Sequence, residues 1–134
     1  MLANAVSKAK NKNIESIKGK IFLNKKGNLQ KNKVDKVKLG IFGLTFKPDI
    51  DDLRESPALY VVDNLLGLGF DVSVVEPNIT KLDNYDNMEL DSAINTSDLI
   101  VVLVGHKEFL TDAIRHRLLE KNALDFCGIL NDLS

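Results

Sequence analysis

The chain has 134 residues, of which 44% are hydrophobic and 28% are charged, a composition that excludes collagen-like, low-complexity and wholly disordered proteins. Its length allows one hydrophobic core, and its single cysteine excludes a disulfide scaffold. The longest apolar run, Leu99 to Val104, is far shorter than the ~20 residues that span a bilayer, and no secretory signal opens the chain, so we expect a cytoplasmic protein with no membrane partner.

The net charge of -1 conceals two segments of opposite charge. Residues 1–36 carry ten lysines and only two acidic residues, whereas residues 37–134 are acidic. The lysines are scattered among Asn and Gly, with no Arg and with Phe22 as the only aromatic residue, so a stacking platform for bases is missing. We interpret residues 1–36 as a basic arm or linker and residues 37–134 as the folded domain. Recruitment of nucleic acid by the arm is a less favoured alternative.

Two weak elements are predicted within the arm. Apolar residues recur at helical spacing from Leu2 to Ala9, which indicates a short helix over residues 2–10. Lys26 and Gly27 separate two short segments and are compatible with a hairpin turn or with an ordinary loop.

From Val37 onward, predicted strands alternate with predicted helices. Four segments have the apolar or β-branched content of strands, and they comprise residues 37–43, 70–75, 99–104 and 123–130. Helices are predicted from Pro57, behind the N-cap Ser56, to the glycines at 67 and 69, from Leu90 to Thr96, and from Leu110 to Leu118. This alternation predicts a three-layer α/β fold, a Rossmann-like, doubly wound parallel sheet.

The loop after the first strand is the first candidate site, because ligands of such sheets bind beyond the carboxyl ends of the strands. It spans residues 44–56, whereas such connections usually have about 2 to 6 residues. Phe46 offers a flat apolar contact, and Lys47 offers a positive charge for phosphate or sugar oxygens. Arg54 stands among acidic residues that can fix its orientation. The loop therefore favours a phosphorylated, ring-bearing ligand.

Each of these residues also has a less specific interpretation. On residue type alone, solvation at the surface is the favoured interpretation of Lys47, and burial in the core is the favoured interpretation of Phe46. Asp49, Asp51 and Asp52 are explained by a solvated loop or, less well, by a Mg²⁺ site, since no Walker-type loop accompanies them.

The glycine pattern argues against a self-sufficient dinucleotide site. The fingerprint G-x-G-x-x-G is broken because Phe42 and Phe46 stand where glycines are needed. Glu76 ends the second predicted strand, where a ribose-binding carboxylate would lie, but hydrogen bonds from the local backbone explain it equally well.

The remaining polar candidates are interpreted as structural. His106 follows a strand at the ligand edge and could donate to phosphate, yet a structural role is favoured for it, as for His116 on a charged helical face. Cys127 is expected to be a small buried hydrophobe with an inert thiol. No pattern supplies a nucleophile, base and acid together, so no catalytic residue is assigned, and no zinc site is favoured.

The fifteen residues from Gly43 to Pro57 resemble the signature of the C-terminal UDP-binding domain of the UDP-glucose/GDP-mannose dehydrogenase family. Together with the sequence from Val75 to Asn78, they are most similar to the subfamily that oxidises UDP-N-acetyl-D-mannosamine. The resemblance extends more loosely over residues 37–128 and does not clearly cover residues 1–36.

The resemblance implies an NAD-dependent, two-step oxidation of the sugar C6 alcohol to a carboxylate. It implies an N-terminal NAD-binding domain, a middle region that forms a homodimer and carries the nucleophilic cysteine, and a C-terminal domain that closes over UDP. Only the C-terminal, UDP-binding domain has a counterpart in this sequence. Cys127 is therefore not the nucleophilic cysteine of the family. We expect the chain to be a fragment, a split product or an isolated domain that is inactive alone. A non-enzymatic α/β partner-binding module is the alternative.

By the same resemblance, Phe46 and Lys47 match the pair that contacts the UDP-sugar, and Arg54 matches an arginine that reaches the NAD bound by the other domain. The family commonly ends its last strand with an arginine near the substrate. This chain departs from that pattern, because residues 125–131 contain no arginine.

Overall fold

The structure, a computed structural model, describes residues 15–19 and 37–133. Five parallel strands form one sheet in the order β3-β2-β1-β4-β5. The strands are β1 (Lys38–Phe42), β2 (Asp71–Val75), β3 (Asp86–Asn87), β4 (Leu99–Val102) and β5 (Leu124–Asp125). The helices are α1 (Pro57–Gly67), α2 (Leu90–Thr96) and α3 (Asp112–Glu120), with 3-10 turns at Lys107–Phe109 and Asn131–Leu133 and a helical segment at residues 15–19. The predicted helix 2–10 and hairpin near Gly27 lie outside the described residues.

Alternate residues of the central strands build two hydrophobic cores on opposite faces of the sheet, rather than the one core expected from the length, because the sheet separates them. Leu39 and Ile41 of β1 join the first core, which α1 covers, and Phe42 joins the second, which α2 and α3 cover. Helices on both faces of a parallel sheet make the three-layer, doubly wound fold that the alternation predicts. Ile17, from the basic arm, is fully buried in the first core.

The start of α1 follows directly from the sequence. Ser56 is the N-cap, its side chain accepts from the N–H of Leu59, and Pro57 occupies the first helical turn, where its missing N–H costs nothing. The Ser56 hydroxyl also donates to the carbonyl of Leu44, so the cap ties the beginning of the long loop to its end.

The prediction of a last strand over residues 123–130 is wrong for most of that range, because the observed strand β5 covers only Leu124–Asp125. β5 ends at Asp125, because the Asp125 carboxylate accepts from the N–H groups of Cys127, Gly128 and Leu130 and turns the chain away from the sheet. β3 was not predicted, since its two exposed polar residues carry no hydrophobic signal.

Three other expectations need correction. β4 ends at Val102 rather than Val104, and α3 begins after Thr111, whose hydroxyl accepts from the N–H of Ile114 and caps the helix, rather than at Leu110. Cys127 is exposed as a residue rather than buried, because it lies in the turn that Asp125 makes, although its sulfur is part-buried against the carbonyl oxygen of Val102. Within the described ranges, no helix has the length and apolar character needed to cross a bilayer.

Candidate functional site

Buried polar side chains are concentrated at the carboxyl edge of the sheet. Thr45, Ser56, Glu76 and His106 are all buried there, and Ser97 is the remaining member of the buried polar set of the described residues. They come from three segments that follow β1, β2 and β4. Because burying polar groups costs free energy unless they are hydrogen-bonded, their partners show what the edge is built to hold.

Glu76 holds the beginning of the long loop. Its Oε1 accepts from the N–H of Leu44 at 2.9 Å and of Thr45 at 3.2 Å, and its Oε2 accepts from the N–H of Asn78 at 2.9 Å. Burial raises the pKa of Glu76, but the hydrogen bonds from His106 and from these backbone N–H groups outweigh it and leave the pKa below its usual value. The interpretation of Glu76 as an acceptor of local backbone hydrogen bonds is therefore confirmed.

His106 connects Glu76 to the middle of the loop. Its Nδ1 lies 2.8 Å from the backbone nitrogen of Asp49, which can only donate, so Nδ1 accepts and the proton is assigned to Nε2. Nε2 then donates to Oε1 of Glu76 at 2.8 Å. The ring is fully buried, so the structural role favoured from the sequence is confirmed and donation to a phosphate is not supported. His116 is exposed on α3.

Asp49 closes the loop against the turn after β4. Its φ of 63° lies in the left-handed region, which Asp tolerates better than most residues. Its Oδ1 accepts from the N–H of Lys107 at 2.8 Å while its own N–H donates to His106. Oδ1 of Asp49 is therefore engaged by the backbone of the turn after β4.

The tip of the loop faces outward. The Phe46 side chain is 49% exposed, so it is not core filler, and the Lys47 ammonium lies 6.0 Å from the centroid of its ring. Phe46, Asp52, Arg54 and Glu55 line a concavity of about 560 Å³. The structure thus brings Phe46 and Arg54 to one concavity, with Lys47 beside it.

Arg54 is oriented by one of the neighbouring acids. Its Nε and Nη2 donate to the two carboxylate oxygens of Asp52 at 3.0 and 2.9 Å. These side-chain hydrogen bonds, together with the bond from the Arg54 N–H, lower the pKa of Asp52 to about 2. The Arg54 side chain remains 89% exposed, so its guanidinium is held in place and open to solvent.

Sequence reasoning did not find the role of Asn78 or the joint role of Glu76, Asp49 and His106. The amide nitrogen of Asn78 lies 3.0 Å from Nδ1 of His106, on the same side as Asp49. The sequence does predict that segments 44–55, 76–78 and 105–107 lie together, because each follows a strand and the carboxyl ends of parallel strands meet at one edge, but it does not predict which side chains pair there.

Comparison with known proteins identifies the family of this fold. Residues 40–132 match the UDP-glucose/GDP-mannose dehydrogenase family, UDP binding domain. The UDP-N-acetyl-D-mannosamine dehydrogenase of Campylobacter jejuni is 48% identical over 81 residues, which cover 54% of this chain and 20% of that protein. The enzyme of the same name from Methanococcus maripaludis is 38% identical over 108 residues, which cover 76% of this chain and 25% of that protein.

Solved structures have the same fold. The UDP-N-acetyl-mannosamine dehydrogenase of S. aureus aligns over 76% of this chain and 22% of its own, with a TM-score of 0.58 and 27% identity. The GDP-mannose dehydrogenase of Pseudomonas aeruginosa aligns over 77% of this chain and 27% of its own, with a TM-score of 0.58 and 25% identity.

The family match lies in the part of the chain that forms the sheet and the loop. The chain spans about a fifth to a quarter of the length of the curated relatives it matches. Since the family match covers residues 40–132, well over half of the sequence, the chain belongs to the UDP-glucose/GDP-mannose dehydrogenase family, as a UDP-binding domain.

Proposed function

We propose that this chain supplies the UDP-sugar-binding domain of an NAD-dependent dehydrogenase that oxidises C6 of UDP-N-acetyl-D-mannosamine to a carboxylate. The observation that carries the proposal is the outward presentation of Phe46 and Lys47 by a loop whose base is held by buried hydrogen bonds. Two relatives with this substrate in their names support the choice of sugar nucleotide.

Phe46 and Lys47 are the substrate-binding residues in this proposal. A ring of the UDP-sugar packs on the exposed face of Phe46, and the Lys47 ammonium pairs with phosphate oxygens. The 6.0 Å between the ammonium and the Phe46 centroid suits a ligand that carries a ring next to a charged group.

Arg54 is the proposed contact to NAD, which the rest of the intact enzyme binds. Bound NAD would supply the hydride acceptor for the oxidation. Arg54 donates Nε–H and one N–H of Nη2 to the Asp52 carboxylate, so the other N–H groups of its guanidinium are available to a phosphate. The fixed orientation of the guanidinium lowers the entropy cost of that contact.

The intact enzyme is proposed to be a cytoplasmic homodimer, in which the NAD-binding and dimer-forming parts belong to other segments. Residues 37–134 act as the binding domain, and residues 1–36 are the basic arm, with Ile17 packed on the domain. This 134-residue chain is expected to bind UDP weakly and to reduce no NAD⁺ by itself. Its only cysteine, Cys127, has a thiol pKa raised to about 12 by burial and by Asp125, which opposes a nucleophilic role.

Calorimetry of the chain with UDP, UDP-N-acetyl-D-mannosamine and UDP-glucose tests the proposal. We expect Lys47→Ala to weaken UDP binding about tenfold, as loss of a charge-assisted hydrogen bond would. Lys38→Ala removes the same charge at the opposite end of β1 and should leave the affinity unchanged. Equal affinity in both variants, or no binding of any UDP compound by the parent chain, would support the partner-binding alternative instead.

A further inference from the structure

We propose that His106 is a positioning residue for nucleotide binding: its neutral imidazole fixes the loop that carries Phe46 and Lys47 by accepting a hydrogen bond from the N–H of Asp49. We call the hydrogen bond from the N–H of Asp49 to Nδ1 of His106 the anchor, and it follows from the geometry of the chain. Its consequence for UDP rests on the proposed function.

The imidazole stands where three segments of the sheet edge meet. It comes from the turn after β4, its Nε2 lies 2.8 Å from Oε1 of Glu76 at the end of β2, and its Nδ1 lies 2.8 Å from the nitrogen of Asp49 in the loop after β1. The ring is fully buried and packs edge-on against Phe109, with centroids 5.6 Å apart. Because both ring nitrogens and one ring edge are engaged, the imidazole has one orientation available.

The backbone of Lys47 is bracketed by two residues that contact this ring. On one side, the Thr45 hydroxyl donates to the carbonyl of Lys47 at 2.7 Å, and its oxygen lies 3.2 Å from Nε2 of His106. On the other side, Asp49 donates its N–H to Nδ1. The ring therefore determines the direction in which the chain at Lys47 leaves the protein.

Asp49 is bonded to the turn after β4 in both directions, as a donor and as an acceptor. Its N–H donates to His106, and its carboxylate accepts from the N–H of Lys107, the next residue along the turn. The left-handed backbone at Asp49 is unfavourable for a residue with a Cβ, so these two bonds hold a conformation that the loop would leave without them. Losing the Nδ1 acceptor should free the loop tip while the sheet beneath remains folded.

Two substitutions of His106 separate its effect on the loop from its effect on the stability of the fold. In His106→Gln, the amide nitrogen can take the place of Nε2 and donate to Glu76, but nothing replaces the Nδ1 acceptor. In His106→Asn, the amide oxygen can take the place of Nδ1 and accept from Asp49, but the buried carboxylate of Glu76 loses its side-chain donor. The first variant should therefore loosen the loop, and the second should weaken the fold.

The test measures UDP affinity by calorimetry, thermal stability, and amide hydrogen exchange at Asp49 in the full chain. We expect His106→Gln to keep most of the stability, to speed exchange at Asp49, and to raise the Kd for UDP about two- to tenfold, the equivalent of one hydrogen bond. We expect His106→Asn to lower the melting temperature more and to change the exchange at Asp49 less. In the parent chain, the ¹⁵N shift of Nδ1 should be that of an unprotonated nitrogen.

The outcomes distinguish this proposal from the proposed function. Parent-like affinity for UDP in His106→Gln, in a chain where Lys47→Ala impairs binding, overturns the positioning role and leaves UDP binding intact. A protonated Nδ1, or unchanged exchange at Asp49 in His106→Gln, overturns the anchor whether or not UDP binds. Absence of UDP binding by the parent chain overturns the proposed function, and with it the nucleotide role of His106.

Discussion

Nε2 of His106 lies 2.8 Å from Oε1 of Glu76, and both side chains are completely excluded from solvent. The pair links the turn after β4 to the end of β2 across the carboxyl edge of the sheet. Glu76 at the same time receives two N–H groups from the loop after β1. A single carboxylate thus joins the three segments from which the candidate site is built, and its removal should affect all of them.

Glu76→Gln should lower the free energy of unfolding by about 1–3 kcal/mol, because one carboxylate acceptor becomes an amide donor facing N–H groups. Both oxygens of Glu76 accept hydrogen bonds, so neither orientation of the amide satisfies every partner. Urea denaturation measures the change. Glu120→Gln, at an exposed residue of α3, is the matched control, and an equal effect of the two substitutions would contradict this role for Glu76.

Stability should fall with acidification, in a window set by the same carboxylate. The pKa of Glu76 lies below its usual value of 4.5 in the folded protein, so the unfolded chain takes up a proton first as the pH falls. Its contribution is therefore complete above pH 4.5 and is lost as the pH drops from there through the folded-state pKa. Urea denaturation above and below this pH should show the loss, and Glu76→Gln should remove that part of the pH dependence. A variant as acid-sensitive as the parent would contradict the assignment.

The fold could be predicted because it depends on local and periodic signals. The helix Leu90–Thr96 was predicted with its exact bounds, and Ser56 and Pro57 marked the start of α1 because capping is a property of adjacent residues. The run from Val37 to Gly43 was recognisable as a buried parallel strand because it is mostly apolar, and β1 occupies Lys38–Phe42 within it. These signals need no knowledge of distant contacts.

Position after the strands placed Glu76 and His106 at the same edge of the sheet, but their hydrogen bond could not be predicted, because they are thirty residues apart and no periodicity shows which side chains pair. The last strand was predicted too long for a related reason. The turn after Asp125 is made by its side chain, which accepts hydrogen bonds from three N–H groups, and apolar patterning does not reveal such a turn. Phe46 and Lys47 could be singled out because the loop is unusually long, but the exposure of Phe46 could not be read from composition, which favours burial of an aromatic residue.

Ser56→Ala should destabilise the protein more than an ordinary loss of an N-cap. The Ser56 side chain accepts from the N–H of Leu59 and donates to the buried carbonyl of Leu44, so the substitution removes two bonds. We expect a loss of about 1–2 kcal/mol in the free energy of unfolding, measured by urea denaturation. Thr111→Ala, which removes the single cap bond of α3, is the matched control and should cost less. Equal losses would show that the bond to Leu44 contributes nothing.

Cys127 should react slowly with thiol reagents although the residue is exposed. Its Sγ lies 3.6 Å from the carbonyl oxygen of Val102, and burial of the sulfur, with a further contribution from the Asp125 carboxylate, raises the pKa of the thiol to about 12. Because the thiolate is the reactive form, alkylation by iodoacetamide at neutral pH should be slower than that of glutathione. In urea, where these contacts are lost, the rate should approach that of the free thiol. Rapid modification of the folded chain would mean that the sulfur is solvated and that Cys127 is available as a nucleophile.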